Sequence, residues 1–578
     1  MRLDWITKTV RPTRRTAARL SRRSALRVDG MEDRTVPATF NVAAGGSIQA
    51  AIDAAAATND GNDIINIAPA TYTGNLVIPN SANLTNLLIQ KTPNSTGNST
   101  IKASSAGAIL TVDGETGVTI NSLVFDGSNT PANQGIFIKN GGQATIQSNV
   151  IQNINPSSGE GIGIRVGRSA FAVGGPTTGT ATVSGNVVTG YGDAGIVIAN
   201  VGSSGTVSSN TVTGLGAPAK TDQNGIEISY GASGTVSGNA VSANGKKNGN
   251  FVSVGIFLYK AASGVQIIGN AVSNNNFGIS VMDGTSPVIQ NNSISGSTYY
   301  GIGFDSSDGG TTVTMGATVT NNSSSNSAGG TVADGFDIWY LHSSAANPVS
   351  ITKNNASSNT GDGFNFFLSA ADTAGTWIMS ANGNANGNGG NGYHIQNSSG
   401  LSVNGMDGST NGNANGNGAN GFLIESCQNI TVSNYNANSN GANGIYVTGS
   451  TGVTITNNQA AQNSLNGFLF ENSSGLTISN NFSGNPTGNK ASNGLNGFSF
   501  VNTGGSSVTG NTAQRNGSNG ILLDANSTGN TLSGNTLTLN NKGNNGSFDA
   551  NDLSGTPTTV LNSWSNNTIG TKNKSVIS

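Results

Sequence analysis

Apolar residues recur in one short pattern along most of the chain. A glycine is followed by an apolar residue, any residue and a second apolar residue, as in Gly135-Ile136-Phe137-Ile138. Alternation with period two is typical of a β-strand that buries one face. The pattern occurs fifteen times, and its glycines are Gly135, Gly161, Gly195, Gly225, Gly255, Gly278, Gly301, Gly335, Gly363, Gly392, Gly421, Gly444, Gly467, Gly497 and Gly520.

The copies follow one another at intervals of 23 to 34 residues. Most intervals contain a second strand pattern, such as ATVSGNVV at 181–188 and VTITNNQA at 453–460. Repeats of this length with strands and no helices are typical of a β-solenoid, because stacked units bury the apolar face that a single unit leaves exposed. The second strand ends on an asparagine at positions 186, 210, 239, 270, 292, 458, 481, 511 and 535.

Glycine and asparagine fill the segments between the strands. The phrase NGNANGNG occurs at 382–389 and again at 411–418, and each copy leads into a strand. We interpret it as the corner of a coil, because Gly permits a positive φ and Asn tolerates the left-handed region. Asn side chains at the same corner of successive coils are expected to form an amide ladder that pairs their donors and acceptors. The tracts lack the aspartates of Gly-rich calcium repeats, so calcium is not expected there, and any cofactor is left unknown because no specific metal motif is present.

The composition narrows the class of protein. Charged residues are 9% of the 578 residues, and nine of the 25 basic residues fall within residues 1–28. The rest of the chain therefore carries 16 basic against 26 acidic residues, and it is not expected to bind nucleic acid or an anionic membrane surface. No run of 18 apolar residues is present, so no membrane span is predicted. The single Cys427 is expected to pack as a small apolar residue.

Residues 1–38 are predicted to be a disordered basic leader that lies outside the fold. They lack the apolar stretch of an ordinary signal peptide. Residues 31–38, MEDRTVPA, resemble the LEDRTVPA motif that follows arginine-rich leaders in certain large exported bacterial surface proteins, with Met31 in place of the usual Leu. The resemblance implies export and an extracellular or cell-surface location. The alternative is a basic tail that binds nucleic acid or has no partner.

From about residue 40 onward the repeat resembles the right-handed parallel β-helix family, the pectate-lyase-like group. Members close the first coil with a short helix, which blocks edge-to-edge association. The resemblance implies an all-β protein with a single coil of about 18 rungs. It implies a cap with the first rungs at 39–115, and repeats with a C-terminal cap near Trp564 at 116–578. Ser47 is predicted to cap the helix, whose apolar face contains Ile48, Ala51, Ile52 and Ala55.

In this family the functional residues lie on one outer sheet, so we expect a site at the outward positions of the Gly-started strand. Asp337, Asn365 and His394 occupy the same outward position in three successive copies and should span about 10 Å. Carboxylates, a histidine and exposed rings suit a sugar chain, because sugars stack on aromatic faces and acids serve acid–base chemistry. The predicted catalytic residues are Asp337, His394 and Asp305. The predicted substrate-binding residues are Trp339, Tyr340, His342, Asn365, Tyr259, Lys260 and Glu227.

Two arginines, Arg165 and Arg168, lie further along the same face. In a lyase such residues remove a proton or neutralise an acid, but as isolated surface arginines they are interpreted here as structural. The two longest units, 161–195 and 301–335, are expected to add loops that wall a groove.

The sequence leaves the reaction open, and whether the protein is an enzyme at all. The Asp-Asp and Arg-Ile-Lys of polygalacturonases are absent, as is the Arg-x-Pro-x-x-Arg of pectate lyases. Gly335-Phe336-Asp337 matches part of the Tyr-Gly-Phe-Asp-Pro-His motif of mannuronan epimerases, with Asp334 in place of the Tyr. The expected partner is a polysaccharide or cell-surface glycan, which the protein binds and processes as a lyase, hydrolase or epimerase. The alternative is a non-catalytic surface adhesin or structural rod. Assembly of a metal cofactor is disfavoured by one Cys and two His.

Overall fold

The computed structural model describes residues 37–578 apart from 59–60, 129, 156–159, 173, 217–221, 246–252, 326, 328–332, 373–374, 381–382, 407–409, 486–491, 557 and 560. All but the last two residues of the predicted leader lie outside the described residues, so the leader stays a prediction. From residue 39 onward the chain winds into one right-handed parallel β-helix, which confirms the predicted fold.

One α-helix, Ile48–Ala57, closes the first coil. The prediction of its N-cap is confirmed, because the Ser47 Oγ accepts a hydrogen bond from the Ala50 N–H at 3.1 Å. Ile48, Ile52 and Ala55 are buried, and Ala51 packs against the same core. No other helix occurs in the described part of the chain, and this one is too short to cross a membrane.

Each full coil contributes a strand to three long parallel sheets, which we number from the Gly-started strand. Sheet 1 contains the Gly-started strands, sheet 2 the strands after the next bend, and sheet 3 those after the Asn corner. The described residues form 18 strands in sheet 1, 20 in sheet 2 and 19 in sheet 3. These counts confirm the expected number of rungs.

The strands of sheet 1 carry the site discussed below. They are Leu76–Pro79, Ala108–Asp113, Gln134–Lys139, Ile162–Val166, Ala194–Ala199, Asn224–Ser229, Val254–Tyr259, Phe277–Met282, Tyr300–Asp305, Asp334–Trp339, Phe364–Phe367, Tyr393–Gln396, Phe422–Glu425, Ile445–Thr448, Phe468–Glu471, Phe498–Val501, Ile521–Leu523 and Ala550–Asp552.

Sheets 2 and 3 complete the wall of the coil. Sheet 2 contains Thr39–Val42, Ile64–Ile67, Leu88–Lys91, Val118–Asn121, Gly142–Gln147, Gly179–Ser184, Ser204–Ser208, Ser233–Ser237, Gln266–Ile268, Val288–Gln290, Ala317–Thr320, Val349–Thr352, Trp377–Ser380, Ser402–Asn404, Thr431–Ser433, Thr454–Thr456, Thr477–Ser479, Ser507–Thr509, Thr531–Ser533 and Ser563–Ser565. Sheet 3 contains Ala70–Thr73, Ser99–Lys102, Val124–Asp126, Val150–Gln152, Val187–Thr189, Thr211–Thr213, Ala240–Ser242, Ala271–Ser273, Ser293–Ser295, Ser323–Ser325, Asn355–Ser357, Asn384–Asn386, Gly412–Asn413, Tyr435–Asn436, Gln459–Ala460, Phe482–Gly484, Thr512–Gln514, Thr536–Thr538 and Thr568–Ile569. A small fourth sheet contains Thr314–Met315, Leu341–Ser343 and Ala370–Ala371.

The two apolar columns of sheet 1 point into the coil and form its core. Phe364 and Phe366, one and three places after a repeat glycine, are both buried. Aromatic members of a column stack from rung to rung, with ring centroids 4.9 Å apart for Phe364 and Tyr393 and 4.5 Å apart for Tyr393 and Phe422. Cys427 is a free, buried thiol in the same core, as predicted.

The repeat glycines are required by the closeness of neighbouring rungs and not by a positive φ. A Cβ added to Gly363 would lie 2.6 Å from the carbonyl oxygen of Gly392, and one added to Gly392 would lie 2.7 Å from that of Gly421. Positive φ angles occur instead at corner glycines such as Gly387, where φ is 65°.

The structure corrects the start of one repeat unit. Ile136 pairs with Ile164, so Gly163 is the glycine that aligns with Gly135, and the choice of Gly161 was wrong. The sequence around it, GIGIRV at 161–166, satisfies the pattern at two places, and only the pairing between rungs distinguishes them.

Asparagine side chains form ladders inside the corners, as predicted. In the longest run in the first half of the coil, each Nδ2 donates to the Oδ1 of the next member at 2.9 to 3.1 Å. The Nδ2 of Asn186 also donates to the carbonyl of Ile146, so both amide protons are used inside the coil. The repeated NGNANGNG tracts supply Asn388 and Asn417 to a second ladder. The members of the first are Asn149, Asn186, Asn210, Asn239, Asn270, Asn292, Asn322 and Asn354.

The last rungs end on a buried tryptophan. Trp564 continues the interior column after Leu532, and its Nε1 donates to the Oδ2 of Asp552 at 2.9 Å. The indole therefore fills the end of the core with its one polar atom paired.

Candidate functional site

A groove of about 360 Å³ lies on the outer face of sheet 1. It crosses four successive strands, which begin at Phe277, Tyr300, Asp334 and Phe364. Because the rungs are parallel and in register, residues far apart in sequence become neighbours in this groove. Its lining residues are Phe277, Tyr299, Tyr300, Phe304, Asp305, Asp334, Asp337, Trp339 and Asn365.

Hydrogen bonds hold the Asp337 carboxylate in one orientation. Its Oδ1 accepts from Trp339 Nε1 at 2.6 Å and from Asn365 Nδ2 at 2.9 Å. The amide of Asn365 is fixed in turn, because its Oδ1 accepts from Gln396 Nε2 at 3.0 Å. Both donors to Asp337 therefore approach a single oxygen.

The two aspartates of the strand Asp334–Trp339 differ in their proton affinity. Burial, followed by the charges of Asp337 and Asp362, raises the pKa of Asp334 to about 8. Burial also raises the pKa of Asp337, but only to about 6, because hydrogen bonds from Trp339 and Asn365 act in the opposite direction. At neutral pH the first carboxyl is therefore mainly protonated and the second mainly ionised.

Aromatic rings form the walls on both sides of these carboxyls. Phe277 packs against Tyr299 and Tyr300, with ring centroids 5.0 and 4.4 Å away. On the opposite side Trp339 packs against Phe367 at 4.8 Å. Rings that contact one another present a rigid surface, on which the apolar face of a ring-shaped ligand can stack.

His394 lies two rungs from Asp337, and its contacts are different. The predicted register is present, since Asp337 pairs with Asn365 and Asn365 with His394. The imidazole lies between two carboxylates, with Nδ1 3.1 Å from Asp362 Oδ2 and Nε2 3.0 Å from Glu425 Oε1. Burial lowers the pKa of His394, but these two partners outweigh it, so the pKa is raised. A catalytic role for His394 stays a prediction.

Three other predicted residues are not part of the groove lining. Tyr340 packs its ring 6.2 Å from Phe367, at the rim. His342 belongs to the small fourth sheet, where its Nδ1 is 4.0 Å from Asp372 Oδ1. The Lys260 ammonium is 3.6 Å from Asp283 Oδ2.

Glu227 and Tyr259 lie on sheet 1 but further along the coil. Their strands, Asn224–Ser229 and Val254–Tyr259, are four and three rungs before Asp334–Trp339, about 19 and 14 Å away at the usual strand spacing. Asp305, Asp337, Trp339 and Asn365 are thus the predicted residues that the fold brings together, and the role of each is still a prediction.

Sequence reasoning missed Asp334 and Asp362, which precede repeat glycines. In the next six rungs the same position is asparagine, at 391, 420, 443, 466, 496 and 519. Those amides form a ladder in which each Nδ2 donates toward the preceding rung, and the first of them, Asn391, donates to Asp362 Oδ1 at 3.1 Å. The Asp362 N–H donates to Asp334 Oδ1 at 2.6 Å. The change from Asn to Asp in this column was the signal that could have identified both.

Within the described residues, no cluster of His, Cys, Asp and Glu side chains has an arrangement that could hold a metal ion.

Comparison with known proteins agrees with this architecture. The sequence profile of the family described as "Right handed beta helix region" matches residues 172–339, 253–384 and 420–573, which together cover more than half of the chain. This chain belongs to the right-handed β-helix family. No curated protein sequence is significantly similar to the chain.

Solved structures match the chain at low identity and with low TM-scores, as three examples show. The A-module of the mannuronan C-5 epimerase AlgE6 of Azotobacter vinelandii is 16% identical with a TM-score of 0.26, and the match covers 87% of this chain and 99% of that one. The periplasmic alginate epimerase AlgG is 11% identical with a TM-score of 0.30, over 80% of this chain and 78% of that one. Tailspike protein 3 of bacteriophage CBA120 is 10% identical with a TM-score of 0.23, over 70% of this chain and 52% of that one.

Proposed function

We propose that the protein binds a neutral polysaccharide in the groove on sheet 1 and hydrolyses it, with Asp334 as the general acid and Asp337 as the general base. The proposal is carried by two carboxyls of one strand that line an aromatic groove, where their surroundings raise the pKa of Asp334 to about 8 and that of Asp337 to about 6. Titratable groups whose environments separate their pKa values in this way are suited to acid–base catalysis.

The lining of the groove favours a neutral substrate. Three carboxyls line it, and none of its described lining residues is Lys or Arg. A uronic acid would place its own carboxylate beside Asp305 and Asp337 without a cation from the lining to offset the repulsion. Sugar hydroxyls instead donate hydrogen bonds to carboxylates, and their rings stack on Tyr299 or Trp339.

The reaction balances with these two groups. Asp334 donates its proton to the glycosidic oxygen as the bond between that oxygen and the anomeric carbon breaks. Asp337 takes a proton from a water molecule, whose oxygen forms a new bond to the anomeric carbon. The product is one new reducing end for each bond cleaved, and a later exchange with solvent restores both groups.

The test uses the purified protein and a panel of polysaccharides. Glucan, mannan, xylan and galactan supply neutral chains, and alginate and pectate supply acidic ones. We expect binding to a neutral chain with release of reducing ends, and we expect Asp337→Asn to retain binding but lose turnover. Ultraviolet absorbance from an unsaturated sugar product would instead identify a lyase, and no binding to any chain would overturn the proposal.

The hydrogen bond from the Trp339 indole allows a further test of Asp337 as the general base. Trp339→Phe keeps an aromatic ring but removes the hydrogen bond to Asp337 Oδ1, which lowers the pKa of that carboxyl. The pKa of Asp337 should therefore rise, and the acid limb of the pH–rate profile should move to higher pH. An acid limb that coincides with that of the wild type would show that Asp337 is not the base.

A non-catalytic surface rod or adhesin is the second candidate, favoured by the regularity of the C-terminal half. From Asn391 to Asn519 one amide ladder runs without interruption, as a structural element would require. Binding to a neutral chain without turnover by the wild type would support an adhesin. An extracellular or cell-surface location is part of either proposal.

A further inference from the structure

A second groove, of about 290 Å³, lies on the same face of sheet 1 near the N-terminal end. Its floor is a small apolar cluster on the outside of the coil, separate from the main core, formed by Ile162, Ala194, Val197 and Ala199. Outward positions of a solvated sheet are ordinarily polar, so an apolar cluster on the outer face indicates a surface that could contact a ligand.

Three polar atoms in this groove have no hydrogen-bond partner among the described residues. They are Arg165 Nε, Asn224 Oδ1 and Ser229 Oγ. Arg165 is only 4% exposed and Ser229 is fully buried, so the cost of leaving these atoms unpaired is considerable. All three residues line the groove, so a ligand there with several hydroxyl groups offers partners for one donor, one acceptor and one hydroxyl.

One other polar atom of Arg165 and one of Asn224 are already paired. Arg165 forms an ion pair through Nη1 with Glu160 Oε2. Asn224 Nδ2 donates to Glu227 Oε2 at 2.9 Å. These contacts fix the orientation of the guanidinium and of the amide, so their unpaired atoms have fixed positions before any ligand binds.

An exposed aromatic platform forms the rim. Phe171 is 84% exposed, and its ring centroid is 5.4 Å from that of Tyr230. Tyr230 contacts Tyr259 edge to face at 5.2 Å. The loop that carries Phe171 is closed by Arg168, which pairs with Thr177 across a bridge and donates from Nε to the Gly175 carbonyl at 2.7 Å. An exposed ring on a braced loop suits stacking with a sugar.

We infer that this groove is a second carbohydrate site, which binds a sugar unit of the same neutral polysaccharide through Arg165, Asn224 and Ser229 with its ring against Phe171 and Tyr230. The charge agrees with a neutral sugar, since four carboxylates, those of Glu160, Asp193, Asp222 and Glu227, line the groove together with the single guanidinium of Arg165. The inference rests on the proposed function, because it extends the same substrate along the coil.

The distance between the two grooves determines how long an oligosaccharide must be to occupy both. The strand Asn224–Ser229 is four rungs from Asp334–Trp339, and Ile162–Val166 is six rungs away. At the usual spacing the strands of the second groove are therefore about 19 to 29 Å from Asp334–Trp339. The nearest strand of the first groove, Phe277–Met282, is only two rungs from Asn224–Ser229, or about 10 Å. A short oligosaccharide occupies one groove at a time, whereas a long one contacts both.

The test measures affinity against chain length by isothermal titration calorimetry. The probes are gluco-, manno-, xylo- and galacto-oligosaccharides, each in a disaccharide form and in a form longer than the span between the grooves. For the wild type we expect the long form to bind more tightly than the disaccharide. Phe171→Ala should remove most of this gain, about tenfold in affinity. Ile378→Ala, which trims an exposed apolar residue on sheet 2, should not.

The outcomes distinguish failure of the second site from failure of the proposed function. If Trp339→Ala weakens binding but Phe171→Ala keeps the full gain with length, the second site is overturned and the proposed function stands. If the wild type binds none of the probes, both fail. If Asn224→Ala reproduces the loss seen in Phe171→Ala at unchanged thermal stability, the polar contacts of the second site are supported as well.

Discussion

Asp334→Asn should abolish hydrolysis and leave the coil intact. Asn cannot donate a carboxyl proton to a leaving oxygen, so turnover should fall roughly 10²- to 10⁴-fold, the usual contribution of a general acid. Binding should be little changed, because the amide has the same shape and still donates hydrogen bonds. The effect is measured as release of reducing ends from the neutral chain that the wild type cleaves.

The fold can accommodate an amide side chain at position 334. Asp334 Oδ1 accepts from the Asp362 N–H, and the amide oxygen of an asparagine accepts the same bond. Later rungs carry asparagine at the equivalent position, for example Asn420 and Asn443, where each is buried and paired. Asn at position 334 therefore extends a ladder that the sequence already uses.

The same variant should change how stability depends on pH. Asp334 keeps its proton in the folded chain up to about pH 8, whereas an unfolded Asp loses it near pH 4. Between these values the folded state binds more protons, so the free energy of unfolding of the wild type falls as the pH rises through this window. Asn has no proton to lose, and its curve should be flatter.

The matched control is Asp53→Asn, an exposed residue on the capping helix that accepts from Gln49 Nε2. It should retain turnover and the pH dependence of the wild type. Turnover by Asp334→Asn within about threefold of the wild type would contradict an acid at this position, since loss of a general acid costs roughly 10²-fold or more. Asp362→Asn removes a carboxylate from the same column, but Asp362 does not line the groove. This variant therefore distinguishes the effect of removing a nearby negative charge from the loss of the general acid Asp334.

Gly392→Ala should destabilise the coil through steric overlap between rungs. The new Cβ would lie 2.7 Å from the Gly421 carbonyl oxygen, 2.8 Å from Asn417 Nδ2 and 3.1 Å from the Ala385 carbonyl oxygen. Two of these three atoms are backbone carbonyl oxygens, so the overlap can be removed only if neighbouring strands move apart. We expect a loss of about 3 kcal/mol in the free energy of unfolding, from overpacking.

Gly387→Ala, five residues earlier in the same tract, is the control. Its φ is 65° and no atom lies within 4 Å of an added Cβ, so the cost is that of placing Ala in the left-handed region, about 1 kcal/mol. Urea unfolding of both variants compares the two glycines directly. Equal losses at the two positions would show that the rung glycines are not required by close approach.

The sequence alone predicted what depends on periodicity. The alternation in Gly444-Ile445-Tyr446-Val447 fixes which side chains face the core, and repetition fixes which rungs stack. The Asn ladder could be inferred from Asn186 and Asn210 for the same reason, because a buried amide needs an identical partner one rung away. Ser47 and its helix followed from local capping chemistry.

Features that depend on contacts between rungs were decided only by the tertiary structure, because insertions of unequal length separate the rungs in the sequence. GIGIRV at 161–166 fits the pattern in two registers, and only pairing with Ile136 selects one, which brings Arg165 beside Val197 in the second groove. In the sequence Asp334 is an ordinary residue before a glycine. Only the structure shows that burial, together with the nearby charge of Asp337, raises its pKa. A repeating pattern specifies a column, whereas burial and charge depend on which side chains and loops surround each position in three dimensions, and that information is not local in the sequence.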